Sequence, residues 1–147
     1  MLDPYGLHLN WEVIETAGKM KSVEIFLNFP IMDMNRNALW RRPESVTPQG
    51  QARMTAFWGD ESWRQAAYRQ EPTLFGDLDN VKLENDDVVA AFATRLKNIA
   101  GFEFVPRPLP MRNSTNTVVY YLFFASHQPV AAKIVEDIVK KYENRAG

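Results

Sequence analysis

The run with the most chemical potential is Asp3-Pro4-Tyr5-Gly6, which follows Met1 and Leu2 directly. Pro4 has no N–H to continue a strand ladder and restricts Asp3 to extended geometry, while Gly6 allows a sharp turn. The run therefore reads as a buried strand breaking into a corner. Asp3 brings a carboxylate acceptor, Pro4 a backbone carbonyl and Tyr5 a flat ring that can stack on another. Asp, Pro and Gly are also the residues of an ordinary turn, each for its own backbone reason.

A second group sits at the end of the next apolar run, where Asn28 and Phe29 precede Pro30 and are followed by Asn35 and Arg36. Ligands of open α/β sheets bind beyond the carboxyl ends of strands, so Asn28 and Pro30 are placed to line such a crevice. Asn28 is equally suited to capping the helical segment behind it, and Asn35 and Arg36 to a solvated helix face. Further on, Arg36, Arg41, Arg42, Arg53, Arg64 and Arg69 are interleaved with Trp40, Phe57, Trp58, Trp63 and Tyr68. Arginine among aromatics suits single-stranded nucleic acid. Helical spacing and the acidic residues elsewhere favour core aromatics with solvated arginines.

The elements that must hold these residues alternate between helix and strand. The pattern predicts a helix over 10–20 with Asn10 as N-cap, then a strand over 22–29. Residues 31–83 read as a helical insertion, with helical stretches over 34–42, 49–58 and 61–70 broken by Pro43, Pro48, Gly59 and Pro72. A helix over 85–100 carries Val88, Val89, Phe92, Leu96 and Ile99 on one face and stops at Gly101. A strand over 102–105, a polar turn at 112–116 and a β-branched, aromatic strand over 117–126 follow. Val130, Ile134, Val135, Ile138 and Tyr142 mark a last amphipathic helix. Interleaved helices and apolar strands predict an α/β domain, and the short turn between the last two strands makes them antiparallel.

With 147 residues the chain is the size of one domain and can bury a core. A net charge of -1 gives no global attraction to nucleic acid, although a local basic groove is compatible with it. The absence of cysteine rules out disulfides, thiolate zinc sites and iron–sulfur clusters from this chain, and two histidines are too few for a His-rich metal site. Neither a 20-residue apolar run nor a signal-peptide pattern is present, so the expectation is a cytoplasmic protein without a membrane span.

The order of elements resembles the second half of a class I methyltransferase fold, in which a mostly parallel, Rossmann-like sheet closes with an antiparallel hairpin. Leu2-Asp3-Pro4-Tyr5-Gly6 is similar to the Asp-Pro-Pro-Tyr signature of amino-group nucleic-acid methyltransferases, with one proline absent. Three stretches narrow the resemblance. They are 2–7 with Trp11-Glu12-Val13-Ile14-Glu15, Phe26-Leu27-Asn28-Phe29-Pro30 with Asn35-Arg36, and Leu109-Pro110-Met111-Arg112-Asn113 with 120–129. In this order they resemble the three-Cys-motif partner protein family, TcmP, over nearly the whole chain.

That resemblance implies a single methyltransferase-like domain over 1–147, N-terminally truncated relative to the family, because no strand with a Gly-rich loop precedes the corner. It implies S-adenosylmethionine (SAM) as cofactor only if the missing N-terminal half is supplied. Asp3, Pro4 and Tyr5 would be the catalytic corner, with Gly6, Asn28, Pro30, Asn35 and Arg36 on the substrate side. A nucleobase amine is the implied methyl acceptor, with a three-Cys-motif protein and nucleic acid as partners. The competing expectation is a non-catalytic interaction module completed by another chain at an unpaired sheet edge.

Overall fold

The computed structural model of the chain describes residues 9–146, so the corner at Asp3, Pro4, Tyr5 and Gly6 lies outside the described residues. Helix α1 (Trp11–Lys19) turns Trp11, Ile14, Ala17 and Gly18 into the core. Asn10 is its N-cap by position, but its side chain makes no capping hydrogen bond. Gly18 is required by contact: a Cβ there would lie 2.1 Å from the carbonyl oxygen of Ala100.

Strand β1 (Ile25–Phe29) alternates as expected of a sheet with one core face, with Ile25, Leu27 and Phe29 buried. Pro30 then stops the ladder and starts α2 (Ile31–Asn37), its carbonyl accepting from the Met34 amide at 2.9 Å. A short 3-10 turn, η1 (Pro43–Ser45), leads to α3 (Pro48–Trp58), where the Thr47 side chain caps the Gly50 amide at 3.1 Å. Gly59 ends α3 at a φ of 105°. Then come α4 (Trp63–Ala67), the strands β2 (Tyr68–Pro72) and β3 (Leu78–Lys82), and α5 (Asn85–Asn98), which opens with a Glu84–Asp87 capping box. Strands β4 (Leu109–Arg112) and β5 (Val118–Ala125) precede α6 (Pro129–Ala146).

Mixed α/β character is borne out, with two small antiparallel sheets among the described residues. The larger has the order β1-β5-β4, β5 running antiparallel to both neighbours. It closes with an antiparallel hairpin as expected, though on Leu109–Arg112, and the expected parallel pairing does not occur among the described strands. The helical stretch expected over 34–42 lies earlier, as α2 (Ile31–Asn37), and two further boundaries differ for physical reasons. Residues 61–70 do not form one helix: α4 stops at Ala67 and Tyr68 enters β2, which pairs with β3 in the register Tyr68↔Lys82 and Gln70↔Asn80. The 31–83 insertion is thus helical with a β-hairpin at its end. The strand expected over 102–105 shrinks to one bridge, Phe104↔Ser126, because Pro106 and Pro108 cannot donate to a ladder. The pairing moves on to Leu109–Arg112.

Ile25, Leu27, Phe29, Tyr121, Phe123 and Ala125 form the core face of the main sheet. Phe92 of α5 lies on it with five aromatic neighbours. Its ring centroid is 4.8 Å from Phe29, 5.3 Å from Trp58, 5.5 Å from Phe57 and Phe123, and 5.8 Å from Trp11. On the opposite face Phe26 packs on Phe124 at 4.9 Å, and α6 covers Leu122 and Phe124 with Val135 and Val139 around an apolar cavity of 110 Å³.

Phe92→Ala removes the ring that α1, β1, α3 and β5 share, and a buried Phe-to-Ala change costs about 3–5 kcal/mol. Urea denaturation should show a loss of that size. A loss below about 1 kcal/mol would mean the ring is not the keystone its contacts suggest.

Candidate functional site

Asn28, Pro30, Asn35 and Arg36 all lie at the carboxyl end of β1 and on α2, but they do not form one cluster. Asn28 is half-buried in β1 opposite Leu122, and Pro30 is buried as the N-cap of α2. Asn35 turns toward the hairpin and α5: its Oδ1 accepts from Lys82 Nζ at 2.8 Å, and its Nδ2 donates to Asn85 Oδ1 at 3.0 Å. Arg36 faces solvent, and its carbonyl accepts from the Trp40 indole N–H at 2.6 Å. Asn35 is therefore a strut between α2, β3 and α5. Burial holds Lys82 below the usual lysine range, against the opposing attraction of Glu84.

The larger concavity lies one step further along the chain. A cleft of 470 Å³ is lined by Pro43, Arg64, Gln65, Tyr68, Gln70 and Asn80. A second, of 430 Å³, adjoins it at Pro43 and Asn80 and adds Arg41, Arg42, Glu44 and Asp79. One wall is the stretch from Trp40 through η1; the other is α4 with the β2–β3 hairpin. Tyr68 joins the walls, because its hydroxyl donates to the carbonyl of Trp40, the residue before Arg41. Its ring is buried, and burial pushes the phenol up to about 12, with Glu44 adding to the shift and Arg64 opposing it. At neutral pH Tyr68 is thus a fixed hydrogen-bond donor.

Part of the arginine–aromatic pattern is borne out as core and part as surface. Phe57, Trp58 and Trp63 are fully buried, while Trp40 remains partly exposed. Arg64 is fixed by Gln51 Oε1 at 2.9 Å and Glu61 Oε1 at 3.2 Å, and its guanidinium lies 4.4 Å from the Trp63 ring centre. Among the described residues, ion pairs hold Arg64, Arg69, Arg95 and Arg107, and none involves Arg41 or Arg42. Sequence reasoning missed Gln65, Gln70, Asn80 and Lys82. No local signal marked the last three, because only the β2–β3 pairing brings Gln70, Asn80 and Lys82 together.

His127 packs rather than faces a cleft. It stacks on Phe102 at 5.1 Å, and its Nε2 lies 2.9 Å from the Gly18 carbonyl oxygen. Among the described residues there is no group of three or more His, Asp or Glu placed to hold a metal ion, and no helix long and apolar enough to cross a membrane.

Tyr68→Phe deletes the hydroxyl that ties the cleft walls, a loss of about 1 kcal/mol for one intramolecular hydrogen bond. Because the folded phenol titrates above the unfolded one, its stabilisation is complete below about pH 10 and lost as pH rises through the folded value. We expect wild type to lose stability between pH 10 and 12 more steeply than Tyr68→Phe in chemical denaturation. Parallel alkaline limbs would remove Tyr68 from this role. No family model, curated protein or solved structure matches this chain.

Proposed function

We propose that the chain is the C-terminal part of a SAM-dependent, methyltransferase-like domain of the three-Cys-motif partner type, acting on a nucleobase amine once its cofactor-binding half is present. The observation that carries this reading is the sheet edge. β1 pairs with β5, and no second strand among the described residues pairs with β1. A cofactor-binding half supplied to the chain could add a strand along β1. Asn28 and Pro30 lie at the carboxyl end of β1, the end at which open α/β sheets bind ligands.

By the resemblance, the Asp3 carboxylate and the Pro4 carbonyl would accept hydrogen bonds from the acceptor amine and aim its lone pair. Tyr5 stacks on the base. SAM supplies the methyl group. The chain's own contribution is positioning and stabilisation of developing positive charge. Arg36, facing solvent on α2, is available to a phosphate of the substrate, whereas Asn35 is already engaged with Lys82 and Asn85. A three-Cys-motif protein is the partner this family reading brings.

The second reading, a non-catalytic module completed by another chain, draws on the same edge and on α6. Val130, Ile134, Ile138 and Tyr142 repeat every four residues on α6 and all are exposed, an apolar stripe that a further layer would cover.

Calorimetric titration with SAM separates the two. The 147-residue chain should give no binding heat, and binding should appear when a cofactor-binding half with a Gly-rich loop is joined ahead of it. Binding by the 147-residue chain alone would contradict dependence on such a half, and no binding with the half joined would overturn the methyltransferase reading.

A further inference from the structure

We propose that the cleft between the Trp40–Glu44 segment and the β2–β3 hairpin binds a nucleotide unit, its phosphate at Arg41 and Arg42 and its base edge at Gln70 and Asn80. The inference stands on the cleft alone and does not depend on the methyltransferase reading.

The cationic end is defined by what Arg41 and Arg42 lack. Both are exposed, both line the 430 Å³ cleft, and among the described residues neither has a carboxylate within ion-pair distance. Two guanidiniums lining one cleft, neither in an ion pair among the described residues, offer donors suited to phosphate oxygens. Their backbone is held in place, since the Trp40 carbonyl accepts from Tyr68 and the Trp40 indole bonds to the end of α2. The site is thus tied to both walls before any ligand arrives, which lowers the ordering cost of binding.

The other end is neutral and amide-rich. Gln70 and Asn80 are register partners across the hairpin, so their side chains stand together on one face, about 5 Å apart at Cβ. Both line the 470 Å³ cleft, with Gln65 beside them. A carboxamide both donates and accepts, and so matches the mixed hydrogen-bonding edge of a base, as Asn and Gln do with adenine. The volume falls within the range of small-molecule sites.

Glu44 and Asp79, which also line the 430 Å³ cleft, narrow the ligand class. They disfavour a ligand that is only anionic and can accept from sugar hydroxyls or an exocyclic amine. A bare phosphate uses one end of the trough; a nucleotide uses both.

The test uses the 147-residue chain with two probes at low salt: AMP by calorimetry, and a fluorescein-labelled single-stranded oligo-dA 10-mer by fluorescence anisotropy. We expect at least one probe to bind, and R41A/R42A, both at exposed positions, to weaken it about tenfold or more. Where the strand is the ligand, the same variant should reduce the salt dependence of log K by about 1.4, for two phosphate contacts. Q70A/N80A should weaken nucleotide binding about tenfold while leaving any weak inorganic phosphate binding unchanged. Displacement of the 10-mer by AMP at matching affinity assigns a free nucleotide, and tight binding by the 10-mer alone assigns a unit within a strand. Arg107→Ala serves as the control that should bind as wild type. The proposal is overturned if neither probe binds, if R41A/R42A binds like wild type while circular dichroism shows it folded, or if inorganic phosphate competes as well as AMP.

Discussion

The ring of Phe92 meets Trp11 from α1, Phe29 from β1, Phe57 and Trp58 from α3 and Phe123 from β5. Among the described residues no other ring has so many aromatic neighbours. Edge-on and tilted aromatic pairs favour particular orientations beyond the area they bury, so this cluster fixes angles between helices and sheet as well as distances. The cluster anchors β1, which carries Asn28, and α3, which leads into α4 and the cleft-lining hairpin. Arg95 closes the outer side of the cluster, with its guanidinium 4.6 Å from the Trp11 ring centre and ion-paired to Asp60 at 3.4 Å.

Beyond the aromatic cluster, the insertion is organised by a few polar ties of long sequence separation. The Tyr68 hydroxyl holds Trp40, and Lys82 and Asn85 hold Asn35 from opposite sides. Each tie joins α2 or the segment after it to the hairpin or α5. Partly buried hydrogen bonds of this kind add little net stability, but leaving one partner unsatisfied is costly, so they select a single arrangement. The hairpin is thereby fixed at its base, while Leu74 and Phe75 at its turn point into solvent, 100% and 90% exposed.

What was legible in the sequence follows from local periodicity. Val88, Val89, Phe92 and Leu96 announce α5, and the run from Val118 to Ala125 announces β5, because the burial pattern and the local propensity agree there. The hairpin was not legible. Tyr68 to Glu71 continues a helical pattern, and only pairing with Leu78–Lys82 turns it into a strand. The stretch 102–105 failed in the opposite sense, with β-like residues but no partner once prolines follow. At the site, Pro30 marked the end of β1 correctly. The engagement of Asn35 by Lys82, 47 residues away, could not be read from spacing. Among the arginines, composition could not separate Arg64, bound to Glu61, from Arg41 and Arg42, which line a cleft without a counterion.

The functional reading depends on the side of β1 that no described strand pairs with, and amide hydrogen exchange measures β1 directly. The comparison is between the 147-residue chain and the chain extended by a joined cofactor-binding half. We expect Ile25–Phe29 to gain protection on extension, while β5, already paired on both sides, stays unchanged. Equal exchange along β1 in the two chains would contradict completion of the sheet at that edge.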